Sequence, residues 1–394
     1  MASAYLTRTF SSGNRKTYTQ SFWVKYMGNN HATGLSCRIA DNTAYNIYLD
    51  SNSNIDWYVS GGFSGRLKTN RVFRDQNAWY HIVAVVDTTQ STASDRLKLY
   101  VNGVQETSFS TSTYPSLNED TPINDSSNTY FIGSARSSDG YLNGSYAHFH
   151  FIDGTAYTPS TFGETDATTG IWKPKTSPSV TYGTNGFFLK FDNSANMGLD
   201  SSGQGNNFTT NGTIIQNKDT PNNVFATWNP LEPTSNLTFS NTNNTLTSGA
   251  GSKGVPSTLA VSSGKFYFEN KLGSSAGNVV TGIAQDNSFT YVGSSSTSYG
   301  HWNGNIYNNG STTSYGGTAS NNDIVGIGLD LDNNKMYVSI NGTWQNSANP
   351  SSGTGGHTIN AGTYHFAASG DTSQSWNANF GNGYFGTTAV SSAQ

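Results

Sequence analysis

An alternating strand that runs into the dipeptide Asn-Gly occurs twice in this chain. Residues 95–103 read DRLKLYVNG, and residues 330–342 read DLDNNKMYVSING. Asn-Gly after an alternating strand is the strongest short-range signal for a β-hairpin, because both residues tolerate the positive φ of a type I′ turn. An apolar strand precedes each copy, at residues 81–86 and 324–329. The sequence therefore predicts two β modules, each built around a strand and a hairpin.

Length and composition agree with two domains made of strands. A chain of 394 residues is too long for one ordinary β-sandwich and suits two. Alternation of period two recurs along the chain, and no segment keeps an apolar period of 3.6 residues. Charged residues make up 11%, but aromatic residues reach 13%, which argues against a disordered chain. The predicted fold class is all-β, with two tandem antiparallel β-sandwiches.

Charge and hydropathy exclude several classes of partner. The formal net charge is −4, and the 20 lysines and arginines are scattered, so no nucleic acid is expected as a partner. No stretch approaches the roughly 18 apolar residues of a transmembrane helix, and the N-terminus lacks the apolar core of a signal peptide. No membrane insertion is therefore expected. The lone cysteine, Cys37, leaves core burial, sheet hydrogen bonds and self-association as the sources of stability.

The strand rhythm lapses between residues 211 and 233, where Pro221, Pro230 and Pro233 cluster. We interpret residues 216–234 as a linker, packed on a domain face through Phe225 and Trp228. The predicted domains are then residues 1–215 and residues 235–394.

Motifs in the first half resemble those of the laminin-G-like, or concanavalin-A-like, jelly roll. Residues 78–87 (AWYHIVAVVD) and 96–104 (RLKLYVNGV) look like that family's paired strand and hairpin. Residues 130–133 (YFIG) and 142–154 (LNGSYAHFHFIDG) match its next two strands. The resemblance covers residues 1–215 and implies a jelly-roll sandwich.

Five motifs in the second half, in order, resemble those of a SPRY domain. They are GKFYFE at 264–269, VTGIA at 280–284, DIVGIGLDLD at 323–332, NGTW at 341–344 and NFG at 379–381. This resemblance implies a SPRY sandwich over residues 235–394. The two Asn-Gly modules then belong to different folds, so their likeness reflects shared hairpin chemistry more than duplication.

The predicted linker carries a phrase with a resemblance of its own. Residues 219–230 (DTPNNVFATWNP) are similar to the segment that joins this pair of modules in virion proteins of tailed bacteriophages, especially marine ones. The resemblance implies a virion protein, located at the capsid or tail surface.

Enzymatic chemistry finds little support in the residue pattern. A glycosidase needs two carboxylates facing the scissile bond, about 5–5.5 Å apart for retention. The five glutamates are Glu106, Glu119, Glu164, Glu232 and Glu269. The nearest carboxylate pairs are Glu164 with Asp166 in a loop, and Asp330 with Asp332 in a hairpin turn. Since no nucleophile elbow is evident either, we expect no enzyme, with a glycan-cleaving activity as the remote alternative.

Two patterns raise the question of a metal. His148 and His150 share one strand face, where a pair from neighbouring chains could bind a transition metal; a polar outward face opposite Phe149 and Phe151 is the favoured interpretation. The loop 192–206 supplies hard oxygen donors, which makes Asp192 and Asp200 weak calcium candidates. Asx turns explain that loop equally well. No other cofactor is expected.

The loops of the second half carry the clearest functional signal. They mix Tyr and Trp with Ser, Gly and Asn, a composition typical of antibody paratopes, where rigid amphipathic rings sit among adaptable polar groups. In SPRY domains the corresponding loops form the ligand face, and the alternative is that several rings merely cap the sandwich. The candidate ligand-binding residues are Tyr291, Tyr299, His301, Trp302, Tyr307, Tyr315 and Trp344.

These observations favour a non-catalytic phage protein, structural and adhesive, of the tail-fibre or receptor-binding type. Its expected partners are other virion proteins and a host cell-surface glycan or protein. The alternative is a capsid-decoration or head-fibre subunit whose surfaces mainly bind other virion proteins. A homo-oligomer is expected, with a trimer as the state suggested by analogy with phage fibres.

Overall fold

The computed structural model describes residues 4–28, 31–40, 43–59, 65–231, 236–251, 253–273, 277–286 and 290–390. The described chain divides into two compact units. The first comprises Met1–Gln216 with Thr220–Asn223, and the second comprises Asn217–Asp219 with Val224–Gln394. The division falls inside the predicted linker, of which residues 232–234 lie outside the described part of the chain.

The first unit is built of short strands, with 3-10 turns at Ala93–Asp95 and Pro159–Thr161. The strands are β1 (Tyr5–Thr9), β2 (Thr17–Tyr26), β3 (His31–Ala32), β4 (Ser36–Ala40), β5 (Thr43–Leu49), β6 (Asn54–Val59), β7 (Arg66–Val72), β8 (Tyr80–Asp87), β9 (Leu97–Val101), β10 (Val104–Gln105), β11 (Phe109–Thr113), β12 (Thr129–Ile132), β13 (Gly144–Asp153), β14 (Gly163–Thr165), β15 (Trp172–Pro174), β16 (Phe187–Leu189) and β17 (Thr209–Asn211).

Two antiparallel sheets of this unit enclose its core. The larger runs β11-β7-β6-β5-β4-β12-β1-β17, with β3 beside β5, and the smaller runs β10-β9-β8-β2-β13-β16. Ile47 and Trp57 from the larger sheet meet Phe22 and Ile82 from the smaller one in a single buried cluster. A separate pair, β14 and β15, forms a small ribbon. Alternating strands bury one face in this way because successive side chains point to opposite sides.

The second unit continues with strands alone among its described residues. They are β18 (Leu237–Ser240), β19 (Thr245–Ser248), β20 (Lys253–Val261), β21 (Lys265–Leu272), β22 (Val280–Ala284), β23 (Ser298–Trp302), β24 (Asn305–Asn308), β25 (Ser311–Ser314), β26 (Ile324–Asp330), β27 (Lys335–Ile340), β28 (Thr343–Trp344), β29 (His357–Thr358), β30 (Tyr364–Gly370), β31 (Ser375–Asn379), β32 (Tyr384–Phe385) and β33 (Thr388–Ala389).

This unit is also an antiparallel sandwich. One sheet runs β18-β19-β31-β21-β26-β27-β28, with β29 beside β27, and the other runs β20-β30-β22-β23-β24-β25. Phe268 and Phe366 meet between the sheets, with ring centroids 4.9 Å apart. Trp228 is fully buried 5.6 Å from Phe268, while the Phe225 ring lies against Gly381. Both units are sandwiches of antiparallel strands, so the all-β prediction is confirmed.

Both predicted Asn-Gly hairpins form, and the asparagine plays the same part in each. Asn102 and Asn341 have φ of 50° and 48°, in the left-handed region that asparagine tolerates. The Asn102 N–H donates to the His81 carbonyl, and its Oδ1 accepts the His81 N–H, both at 2.8 Å. Asn341 repeats this pair with Ile324, at 2.8 and 2.9 Å. The side chain therefore completes the pairing of a residue at the start of the neighbouring strand, His81 in β8 and Ile324 in β26.

Replacing Asn341 by alanine is expected to lower the free energy of unfolding of the second unit by about 2 kcal/mol. About half comes from losing the short polar side chain by which asparagine, unlike alanine, tolerates left-handed backbone, and about half from the unpaired Ile324 N–H. Asn309→Ala is the matched control, because Asn309 also precedes glycine at φ 48° and the described residues give its side chain no hydrogen bond. Urea unfolding of both variants measures the difference, and equal losses would contradict the role of the Asn341 side chain.

No helix in the described residues has the length and apolar character needed to cross a membrane.

Candidate functional site

The seven predicted ligand-binding residues do not form one cluster. Three of them lie inside the second sandwich, three surround a loop on the outer side of one sheet, and one lies on the opposite sheet. In that order they are Tyr299, His301 and Tyr315, then Tyr291, Trp302 and Tyr307, then Trp344.

The inner three residues have structural partners. Tyr299 and Tyr315 belong to the core between the sheets, and the Tyr315 hydroxyl donates to the Gly355 carbonyl at 2.8 Å. His301 is 3% exposed and has its Nε2 3.1 Å from the Gly317 carbonyl. Burial lowers the pKa of His301 to about 4, so the ring is neutral and Nε2 donates to that carbonyl. These three side chains hold the sandwich together and present no ring to a ligand.

The half-buried trio Tyr291, Trp302 and Tyr307, hereafter the aromatic platform, lies on the other side of strand β23. Tyr307 stands edge-on to both partners, with ring centroids 6.3 Å from Trp302 and 6.4 Å from Tyr291. Val292, in the loop before β23, is buried on the sheet beside Tyr291 and Trp302, and its N–H is bonded to Ser369 Oγ at 3.0 Å. The loop therefore supports the rings from beneath.

Hydrogen bonds fix two rings of the platform. The Tyr291 hydroxyl donates to the Asn278 carbonyl, and the Trp302 indole N–H donates to the Gly277 carbonyl at 3.2 Å. Burial, then the Asp371 carboxylate, raises the pKa of Tyr291, which keeps its hydroxyl a neutral donor. Both polar tips thus point into one turn, and the ring faces are what remains for a ligand. Such preorganised rings lose little entropy on binding.

Trp344 belongs to a second aromatic surface, which sequence reasoning identified only in part. Its ring lies over Gly328, 6.1 Å from Tyr267 and 6.3 Å from Tyr337. Tyr267 is 41% exposed. The sequence does not predict the exposure of Tyr267, because the GKFYFE motif indicates a strand but does not show which of its side chains the neighbouring strands leave uncovered.

Of the two calcium candidates, Asp192 and Asp200, the second accepts hydrogen bonds from the protein itself. The Asp200 carboxylate accepts N–H groups of Phe188, Ser202 and Asn206 and the Ser202 hydroxyl, at 2.8–2.9 Å. Four donors directed at one carboxylate occupy the lone pairs that a cation would need, so Asp200 organises its loop. Asp192 is exposed. Within the described ranges, no three His, Cys, Asp or Glu side chains are grouped to hold a metal.

The first unit contains a buried Ser-His contact that resembles a catalytic pair but cannot act as one. His81 Nε2 lies 2.8 Å from Ser21 Oγ, and the Trp172 indole N–H donates to His81 Nδ1 at 2.9 Å. Because indole can only donate, Nδ1 carries the lone pair and Nε2 carries the proton. His81 therefore donates to Ser21 and has no base directed at the hydroxyl. Burial lowers its pKa to about 3.

His148 and His150 also have aromatic neighbours. A register shift between Ala147 and His150 turns His148 to φ 48°. His150 is buried, with Nδ1 3.0 Å from the Tyr182 hydroxyl and its ring 3.9 Å from that of Phe188. The face that was expected to be polar and outward is thus covered at His150.

Of the carboxylates weighed for glycosidase chemistry, Glu164 and Asp166 both lie near Lys173 Nζ, at 4.0 and 2.8 Å. Glu106 accepts from Arg71 at 2.8 Å, and Glu269 accepts from Asn379 at 2.8 Å. Asp330 accepts from the N–H and the amide of Asn333, which is the turn role expected of it.

Comparison with known proteins supports the first resemblance. Residues 2–161 match the sequence profile described as the concanavalin A-like lectin/glucanases superfamily, which is less than half of the chain. No curated protein matches.

Several solved structures are similar to part of the chain. The SPRY domain of human HERC1 has a TM-score of 0.33 and 16% identity, over 39% of this chain and 98% of that one. The TRIM65 PSpry domain has a TM-score of 0.32 and 12% identity, over 39% and 89%. Stonustoxin has a TM-score of 0.30 and 17% identity, over 39% and 27%. At these scores the SPRY assignment of residues 235–394 stays a prediction from its motifs.

Proposed function

We propose that the protein is a non-catalytic virion protein of a tailed bacteriophage, which adheres to the host surface through the second β-sandwich. The observation that carries the adhesion proposal is the aromatic platform. Its Trp302 and Tyr291 rings are held by hydrogen bonds to the carbonyls of residues 277 and 278, yet both side chains remain partly exposed. Tryptophan and tyrosine are enriched among the few residues that carry most of the energy at binding interfaces.

The non-catalytic part of the proposal has separate support. The best Ser-His contact has its proton on the wrong nitrogen for base catalysis, as the Trp172 bond requires. Glu106 and Glu269, the buried glutamates among the described residues, each accept from a different donor, Arg71 and Asn379. Tandem sandwiches with aromatic loops suit binding, and the virion location rests on the resemblance of residues 219–230.

Trp302→Ala is expected to weaken adhesion roughly tenfold or more, because a stacked aromatic ring contributes about 1–3 kcal/mol. Glycan-array binding and whole-cell binding by the purified protein measure the effect. Trp344→Ala is the matched control, since it removes a half-buried tryptophan from the opposite sheet. If Trp344→Ala abolished binding while Trp302→Ala left it intact, the site would lie on the other surface.

Capsid decoration is the second candidate, and one observation favours it. Tyr267, which is 41% exposed, forms with Trp344 an aromatic surface that suits contact with another virion protein. Imaging of the assembled particle separates the two candidates. Placement at the tail tip with the aromatic platform outward supports adhesion, and placement on the capsid lattice with Tyr267 buried supports decoration.

A further inference from the structure

The aromatic platform lies in a part of the chain that carries no formal charge. Residues 287–322, which supply all three rings, contain no Asp, Glu, Lys or Arg. His301, within this segment, is buried and neutral. No arginine follows Arg136 in the sequence, so the second unit lacks the side chain best suited to binding carboxylates, sulfates and phosphates.

We propose that the platform binds neutral glycans, uncharged pyranose chains, and discriminates against uronic, sulfated and sialylated ones. This inference rests on the proposed adhesive function and names the class of its ligand.

The physical reason begins with what each ring offers. The tips of Tyr291 and Trp302 are used by the carbonyls of Asn278 and Gly277, which leaves their faces for the C–H groups of a sugar ring. The described residues give the Tyr307 hydroxyl no hydrogen bond, so it is available to orient a sugar hydroxyl. Stacking plus one neutral hydrogen bond recognises a polyol and supplies no positive charge to an anion.

Electrostatics adds discrimination against anionic sugars. The Asp371 carboxylate acts on Tyr291, so the nearest identified charge is negative. An anionic sugar on this surface would lose hydration and gain no cationic partner, which makes its binding unfavourable relative to a neutral one. Because attraction between charges does not contribute, the affinity for a neutral chain is expected to change little with salt.

Strand β25 provides a variant that adds the missing charge. Thr312 is exposed and lies directly opposite Tyr307 in the β24–β25 ladder, so the two side chains share one face. Thr312→Arg places a guanidinium beside the platform. Thr313→Arg adds the same charge to the opposite face of that strand, where Thr313 is also exposed, and is the matched control.

The test is titration calorimetry with soluble hexasaccharides, at low and high salt, on the full chain. The neutral probes are malto-, cello-, manno- and laminari-hexaose, and the anionic probes are alginate and carrageenan hexasaccharides. We expect binding to at least one neutral probe, a change of less than about twofold with salt, and a loss of roughly tenfold or more in Trp302→Ala. Thr312→Arg is expected to gain binding to an anionic probe, and Thr313→Arg is not.

The outcomes separate this inference from the proposed function. Wild-type binding to anionic probes that disappears in Trp302→Ala overturns the neutral-glycan inference and leaves adhesion through the platform standing. Binding that Trp302→Ala does not change, with circular dichroism showing an intact fold, overturns both. Absence of binding to any hexasaccharide, combined with whole-cell binding that depends on Trp302, overturns the glycan class and points to a protein ligand.

Discussion

Phe268→Ala is expected to destabilise the second unit by about 3–5 kcal/mol, enough to unfold much of it under mild denaturant. Phe268 is fully buried on β21, and its ring centroid lies 4.9 Å from those of both Phe366 and Phe380. Trp228, from the predicted linker, packs edge-on against the same ring. Removing the Phe268 ring leaves a cavity and breaks its three aromatic contacts, with Phe366, Phe380 and Trp228, which tie both sheets together.

The same strand supplies the control for this prediction. Phe266→Ala removes an identical side chain that is 41% exposed, and we expect a loss of less than about 1 kcal/mol. Guanidinium unfolding followed by tryptophan fluorescence, together with near-ultraviolet circular dichroism, measures both variants. Similar losses in the two would show that the packing of Phe268 between the sheets is not what stabilises this unit.

The core of the second unit was largely predictable from alternation, but the candidate site was not. Within β23, Tyr299 and His301 face the interior, and Trp302 faces outward. Loop composition groups these residues as one ligand set because it carries no information on which side of a strand each one lies. Alternation identifies Tyr299 and Trp302 as opposite faces once the strand is known to begin at Ser298.

The features of the site that the sequence did not predict depend on contacts between segments that are far apart in the chain. The bond from Trp172 to His81 joins residues 91 positions apart and decides the tautomer of the imidazole. Gly103 of the first Asn-Gly hairpin lies against the same Trp172 ring, so this glycine serves both turn geometry and packing. A hairpin motif predicts the first requirement through local chemistry, whereas the second depends on where the ribbon of β14 and β15 folds back.

The Asp200 loop illustrates a case in which two interpretations of one pattern were open. Carboxylate and amide oxygens in a glycine-rich loop fit both calcium and Asx turns. Three of the donors to Asp200 come from Ser202 and Asn206, a few residues along the chain, and the fourth comes from Phe188 at the end of the smaller sheet. Only the direction of these donors in the folded chain distinguishes a loop held by its own hydrogen bonds from a metal site.

Mild acid is expected to destabilise both units through their buried histidines. Burial lowers the pKa of His81 to about 3 and of His301 to about 4, and lowers that of His150 as well. In the unfolded chain each imidazole titrates near 6.5. The stabilisation is therefore complete above about pH 6.5 and is lost as the pH falls toward the folded pKa, because only the unfolded state takes up the proton.

The expected slope is about 1.4 kcal/mol per pH unit for each such histidine, or roughly 3 kcal/mol for His301 between pH 6.5 and 4. Carboxylates with a lowered pKa, such as Asp330, lose their contribution to stability as the pH falls below their ordinary pKa of 3.8. They therefore add little to the change in stability between pH 6.5 and 4. Urea unfolding at a series of pH values measures the slope.

His301→Gln isolates one imidazole from the rest. The Gln amide N–H₂ occupies the region of Nε2 and can still donate to the Gly317 carbonyl, but it does not titrate. We expect the second unit of this variant to keep most of its stability at pH 7 and to lose stability with a slope smaller by about one proton between pH 6.5 and 4. An acid slope equal to that of the wild type would show that protonation of His301 in the unfolded chain is not the cause.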